Sequence, residues 1–120
     1  MKSDNKILEL SFEFSIAIIE LYKQLLDKKE FILSKQLLRS GTSIGANVEE
    51  AIEAQSRKDF ISKMSIASKE ARETRYWLRL LNTSKLVDLN YGPYLKSIEH
   101  IINILTKIVK TTVLSPPETI

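Results

Sequence analysis

The stretch from residue 36 to 60, QLLRSGTSIGANVEEAIEAQSRKDF, sets the smallest residues of the chain inside what otherwise reads as one long amphipathic helix. Leu33, Leu37, Gly41, Ile44, Val48, Ala51 and Gln55 follow one another at steps of three or four, the spacing of a single helix face, so this stripe is expected to meet a core. Lys35, Arg39, Thr42, Ala46, Glu49 and Glu53 take the opposite face. Ser40, Gly41, Thr42, Ser43, Gly45 and Ala46 leave a patch almost free of bulk, where a neighbouring backbone can come close. Asn47 lies beside Ile44 and Ala51, and an amide buried there needs hydrogen-bond partners. An inward Asn in a helical assembly serves chiefly to fix register. Gly41, Gly45 and Asn47 are therefore read as structural.

The segments on either side look built around this helix. Upstream, Asp4 or Ser3 can cap a first helix running over residues 4–27, with Ile7, Ser11, Phe14, Ile18, Leu21 and Leu25 as its core stripe. Leu8, Phe12, Ile19 and Leu26 form a second stripe beside the first. Together they make an apolar arc wider than half the helix, more than one packed bundle asks of a single member, and the excess points to a subunit contact, the alternative being that this helix is simply the most buried of the four. Lys28, Lys29 and Glu30 make a short charged connection suited to antiparallel neighbours. The second helix is expected over residues 31–54.

Downstream, Ser56 and Asp59 have the spacing of a helix N-cap. The third helix, over 57–82, carries Phe60, Met64, Ala67, Ala71, Thr74, Leu78 and Leu81 at alternating steps of four and three, the heptad rhythm of supercoiled bundles. Its small central residues are expected to face the small-residue patch of the second helix. Asp88 and Asn90 are capping candidates for a fourth helix over 90–113, and Pro93 fits its first turn. Tyr94, Ile98, Ile101, Leu105, Ile108 and Thr112 point inward on it, supported by Leu95, Ile102 and Val109. The pattern is that of an all-α, up-down antiparallel four-helix bundle over residues 1–114, followed by a disordered tail over 115–120.

With 120 residues the chain is long enough to bury roughly two-thirds of the surface its unfolded form exposes. It has no cysteine, which removes disulfides, thiolate catalysis and Cys-based zinc sites and is compatible with a reducing cytosol. The opening MKSDNKILELSFEF reads as neither a signal peptide nor a membrane span, so a cytoplasmic protein with no membrane partner is expected. The net charge is +3, unevenly spread: residues 1–60 hold nine Lys+Arg against ten Asp+Glu, and residues 61–120 nine against five. That late basic bias permits an anionic partner.

The run RSGTSIGANVEEA, set after one amphipathic helix and before a long basic one, resembles the signature of the four helix bundle protein family, also called 23S rRNA-intervening sequence proteins. The resemblance extends from about Phe12 to Val113, and its Arg-Ser-x-Thr-Ser-Ile-x-x-Asn-x-x-Glu core covers Arg39 to Glu50. It implies an up-down four-helix bundle that assembles into a ring, commonly a homopentamer, with no catalytic residues and no cofactor. Accessory proteins of diversity-generating retroelements look like the same fold, and there a basic ring engages nucleic acid and a reverse transcriptase. The chain departs from the family pattern at Gly41, where Ala is usual, and at Ala54, near the usual Gly. Gly41 costs local helix stability about 1 kcal/mol against Ala.

Glu49, Glu50, Glu53 and His100 invite comparison with the carboxylate-bridged metal sites of helical bundles, but Glu99 and His100 are adjacent rather than three apart and Glu49 and Glu53 face away from the core stripe. No metal ligand set and no nucleophile–base pair follows. The third helix segregates its charges, with Arg57, Lys58, Lys69, Arg72, Arg75 and Arg79 on one side and Asp59, Glu70 and Glu73 on the other. A solvated face, Glu–Arg pairing between subunits and contact with RNA or DNA all fit that segregation. In the last case Lys69, Arg72, Arg75 and Arg79 would follow a phosphate backbone, with Tyr76 placed to stack. The expected function is a non-catalytic oligomeric interaction module that binds nucleic acid, the alternative being a structural or protein-binding scaffold.

Overall fold

Apolar spacing of three and four becomes four α-helices in the computed structural model, which describes residues 2–115, with side chains from residue 4 onward. They are α1 (Lys2–Asp27), α2 (Leu33–Ile52), α3 (Arg57–Ser84) and α4 (Gly92–Leu114). Each helix packs on two neighbours, α1 on α2, α2 on α3, α3 on α4 and α4 back on α1, with no close backbone approach across the diagonals among the described residues. The short connections make successive helices antiparallel. The result is an all-α rod about 56 Å long and 20 Å across. No helix among the described residues is long and apolar enough to cross a membrane.

The predicted stripes form the core. All six inward residues of α1, Ile7, Ser11, Phe14, Ile18, Leu21 and Leu25, are buried, as are Met64, Ala67, Ala71, Thr74, Leu78 and Leu81 on α3 and Ile98, Ile101, Leu105 and Ile108 on α4. Phe60, Tyr94 and Thr112 sit at its margins, half-buried. On α2, Leu37, Gly41, Ile44, Val48 and Ala51 face inward as expected, joined by Ser34, Ser40 and Gly45. Leu33 is half-buried and Gln55 lies exposed beyond the end of the helix.

The small-residue patch of α2 is shared between two neighbours, its glycines meeting α1 where α3 was expected. A Cβ at Gly41 would stand 2.9 Å from Ile18 Cγ2, and one at Gly45 would stand 3.3 Å from the backbone oxygen of Ser11, so both glycines face α1 rather than α3. The contact with α3 is made one residue earlier: Thr74 Oγ1 donates to Ser40 Oγ at 2.9 Å in the buried interior. Consecutive helical residues lie about 100° apart, so Ser40 and Gly41 look toward different helices. Asn47 is half-buried, and its amide donates to Ser43 O at 2.9 Å within its own helix.

The helix boundaries shift where caps act. α1 begins at Lys2, which puts Asp4 inside the first turn, near the positive end of the helix dipole, instead of at the cap. It ends in a Schellman turn: Lys29 adopts a left-handed φ of 63°, and the Glu30 N–H donates to Leu25 O at 2.9 Å. α2 starts at Leu33, leaving Phe31 and Ile32 in the connection, and stops at Ile52 rather than Ala54. Ser56 caps α3 as expected, its Oγ accepting from Asp59 N–H at 3.0 Å. α3 runs on to Ser84, past residue 82, and closes on Lys85 at φ 55°. Asn90 closes an Asx turn, accepting from Gly92 N–H at 3.1 Å, and Pro93 lies in the first turn of α4. Apart from Ser115, the expected tail over 115–120 lies outside the described residues.

Glu30, read from the sequence as part of a short charged connection, is buried and caps α2. Its carboxylate accepts from Ile32 and Leu33 N–H at 3.1 and 3.2 Å and from Ser34 N–H at 2.6 Å, while Ser34 Oγ donates back to Glu30 O at 2.6 Å. Burial pushes the Glu30 pKa up, but these hydrogen bonds to the ionised form outweigh it and hold the pKa below the usual carboxylate value. A depressed folded-state pKa contributes stability that is present above the unfolded value, about 4.3, and is lost as pH falls through the folded one. Glu30→Ala is expected to cost about 1–2 kcal/mol in urea unfolding at neutral pH, and the difference from wild type should shrink as the pH is taken below about 4. An unchanged urea midpoint at neutral pH would show that the cap contributes nothing.

Candidate nucleic-acid interface

One face of α3 stays outside the core along its whole length, and on it Lys69, Arg72, Tyr76 and Arg79 follow at steps of three, four and three, all exposed. The residues proposed from sequence to share a phosphate-binding role separate here into distinct environments. Lys69 and Arg72 join Ser65 and Ser68 of α3 and Thr106, Val109 and Lys110 of α4 in lining a groove of about 440 Å³ along the α3–α4 seam. Three cations line this groove and no carboxylate does. Arg72 Nη2 reaches Thr106 Oγ1 at 3.5 Å, a long contact that leaves most of the guanidinium donors open. Among the described residues no carboxylate lies within ion-pair distance of Lys69, Lys110 or Arg79.

Arg75 falls outside that set. It is half-buried, and its Nη1 lies 2.8 Å from Glu99 Oε1 of α4, so its charge is matched within the chain. Lys110 is the residue that sequence reasoning missed. It lies on a different helix, and only the antiparallel pairing of α3 with α4 brings it beside Lys69. The spacing of Thr106, Val109 and Lys110 along one face of α4 was the available signal.

The acidic side of α3 is engaged from α2. Arg39 contacts Glu70 at 3.2 Å and also pairs with Glu73, and Gln36 Oε1 accepts from Arg39 Nε at 3.3 Å. Glu73 also accepts from Trp77 Nε1 at 3.2 Å. Glu70 and Glu73 are thus matched by a cation of the same chain. Arg57 is likewise used internally, its guanidinium donating to the carbonyls of Thr112 and Ser115 at the end of α4, where the helix dipole favours a cation. Glu50 lies 3.9 Å from Lys63, and it lines with Glu53 a shallow groove at the α2–α3 turn, whereas His100 lines a separate groove between α1 and α4.

The second stripe of α1 also divides. Leu8 is half-buried and packs on the core and Leu26 is half-buried, while Phe12 is 60% and Ile19 38% exposed. Ile16, absent from the predicted set, is 49% exposed beside them. Ser15 shares the face of Phe12 and Ile19 by helical spacing and would meet a Cβ at Gly45, so the strip flanks the α1–α2 seam. Leu38 and Ile52, each seven residues from Gly45, continue it on α2.

Four antiparallel helices with a basic seam on one side and an apolar flank on another define a small up-down helical bundle protein. The model of the 23S rRNA-intervening sequence protein family matches residues 3–107, and the chain belongs to that family. It is also similar to a solved structure from Bacteroides thetaiotaomicron VPI-5482, described as a protein with unknown function from the S23 ribosomal protein family. The two are 49% identical over 91% of this chain and 99% of the other, with a TM-score of 0.87. No curated protein matches the chain at a significant level.

Proposed function

We propose that this chain is a non-catalytic cytoplasmic module that assembles into a closed homo-oligomer, a pentamer by family resemblance, and binds RNA or DNA through the basic face of α3 and α4. The observation that carries the reading is the groove in which Lys69, Arg72 and Lys110 converge from two helices without a carboxylate. Like charges gathered without counterions repel one another, an arrangement that an anionic ligand relieves. The hydroxyls of Ser65, Ser68 and Thr106 add neutral donors for phosphate oxygens. Repetition of this groove around a ring multiplies modest single-copy contacts into avidity.

The test is a titration of labelled RNA at several salt concentrations, because counterion release makes phosphate binding fall steeply between about 50 and 200 mM salt. Changing Lys69, Arg72 and Lys110 together to Gln should weaken binding and flatten the salt slope by about 0.7–0.9 for each lost contact. Arg75→Gln, which removes a cation already matched by Glu99, should leave the slope nearly unchanged. Binding that ignores salt, or a triple variant with the wild-type slope, would overturn the proposal. A scaffold without nucleic-acid binding is the second reading, favoured by the apolar flank of α1 and α2, which needs only another copy of the chain to cover it.

A further inference from the structure

We infer that the nucleic acid taken by this face is single-stranded, and that Tyr76 is the platform on which its bases stack. The inference rests on the nucleic-acid reading above and adds to it the strand state of the ligand. Tyr76 lies on the exposed side of α3 between Arg72 and Arg79, about 6 Å of helix rise from the first and about 4.5 Å from the second. It is 52% exposed, although a tyrosine ring is large and mostly apolar.

The ring is also held in place. Trp77 packs edge-on against it, with centroids 5.3 Å apart and planes inclined at 67°. Trp77 is anchored in turn by its Nε1 donating to Glu73 at 3.2 Å, and Glu73 is pinned by Arg39 of α2. An exposed aromatic braced through three further side chains loses little rotamer freedom when a base lands on it, which is what a stacking platform requires.

Geometry selects the strand state. In a duplex the base faces are stacked on one another and only edges and backbone are presented, so a duplex could meet Lys69, Arg72 and Arg79 but leave the Tyr76 ring idle. A single strand whose phosphates follow the cations can turn its bases onto the ring, with Arg72 and Arg79 on either side to hold the backbone. Stacking has little sequence preference, because every base has a π face.

The full-length protein is titrated by fluorescence anisotropy with labelled poly-adenine and poly-uridine single strands and with a duplex of the same length. Single strands should bind at least about tenfold more tightly than the duplex, and Tyr76→Ala should weaken single-strand binding by about five- to 150-fold. The same variant should leave duplex affinity and the salt slope unchanged, and Tyr76→Phe, which keeps the ring, should restore single-strand affinity. Trp77 fluorescence should respond to bound single strand but not to bound duplex. Equal affinity for the two strand states, or a Tyr76→Ala variant that binds single strands like the wild type, would overturn the inference while leaving salt-dependent binding intact. If no nucleic acid binds in a salt-dependent way, the nucleic-acid reading itself fails, and this inference with it.

Discussion

Gly45→Leu is expected to destabilise the bundle by about 3 kcal/mol, near the upper end for overpacked contacts, and to lower the melting temperature by roughly 10 °C. The space a side chain would need at Gly45 is filled by the backbone of α1, with Ser11 O 3.3 Å from a Cβ and Ser15 Oγ 3.4 Å away. A backbone carbonyl in mid-helix cannot rotate aside, so a Leu must push α1 away from α2 along the seam where both helices bury their apolar stripes. Gly45→Ala should be far milder, since a gain in helix propensity of about 1 kcal/mol offsets a tight but tolerable Cβ contact. Gly41→Ala should cost more than Gly45→Ala, because its Cβ would stand 2.9 Å from Ile18 Cγ2, on a fully buried β-branched side chain with little room to turn. Thermal melts followed by circular dichroism rank the three variants. A Gly45→Leu protein melting with the wild type would mean that α1 does not pack on this turn.

That result depends on a neighbour the sequence did not reveal, and the reason is physical. Periodicity tells which residues of one helix share a face, and so Ile7 to Leu25 on α1 and Met64 to Leu81 on α3 could be placed in the core directly. It does not tell which helix lies opposite each part of that face. Small residues in the middle of both α2 and α3 suggest that they meet, and Ser40 does reach Thr74, but Gly41 and Gly45 accommodate α1. The same limit applies to charge. Arg72, Arg75 and Arg79 are equivalent along α3, and what separates them is Glu99 on α4 beside Arg75 and Lys110 on α4 beside the groove.

Glu30 escaped for a different reason. A charged residue that follows two lysines in a short connection gives no sign of burial, and its capping role depends on Lys29 adopting a left-handed conformation that turns the carboxylate back toward Ser34. The signature that carries the family resemblance is, by contrast, explained by packing. Arg39 reaches Glu70 and Glu73, Ser40 meets Thr74, Thr42 and Asn47 bond to their own helix, and Ile44 fills the core. Its residues hold α2 between α1 and α3, and the basic groove lies outside it, on α3 and α4.

Replacing Phe12 and Ile19 by Lys is expected to convert the assembly to monomers and to remove most of its affinity for nucleic acid while the bundle stays folded. Phe12 and Ile19, 60% and 38% exposed, lie outside the buried core, and charge placed there meets water in a single chain but desolvation and repulsion between copies. Wild-type mass in solution should be a multiple of 13.8 kDa, with five copies favoured by family resemblance, because a ring covers the Phe12, Ile16 and Ile19 strip equally on every copy. Linked sites raise avidity by about 10²–10⁴ over a single site, so the monomeric variant should lose affinity in that range although Lys69, Arg72 and Lys110 are untouched. Light scattering gives the mass, circular dichroism the helicity, and the salt titration the affinity. A wild-type chain that is monomeric at concentrations on the order of tens of micromolar would sink the assembly, since an interface of ordinary size holds there. Monomers that bind as tightly as the ring would keep the basic groove and discard multivalency as the source of its strength.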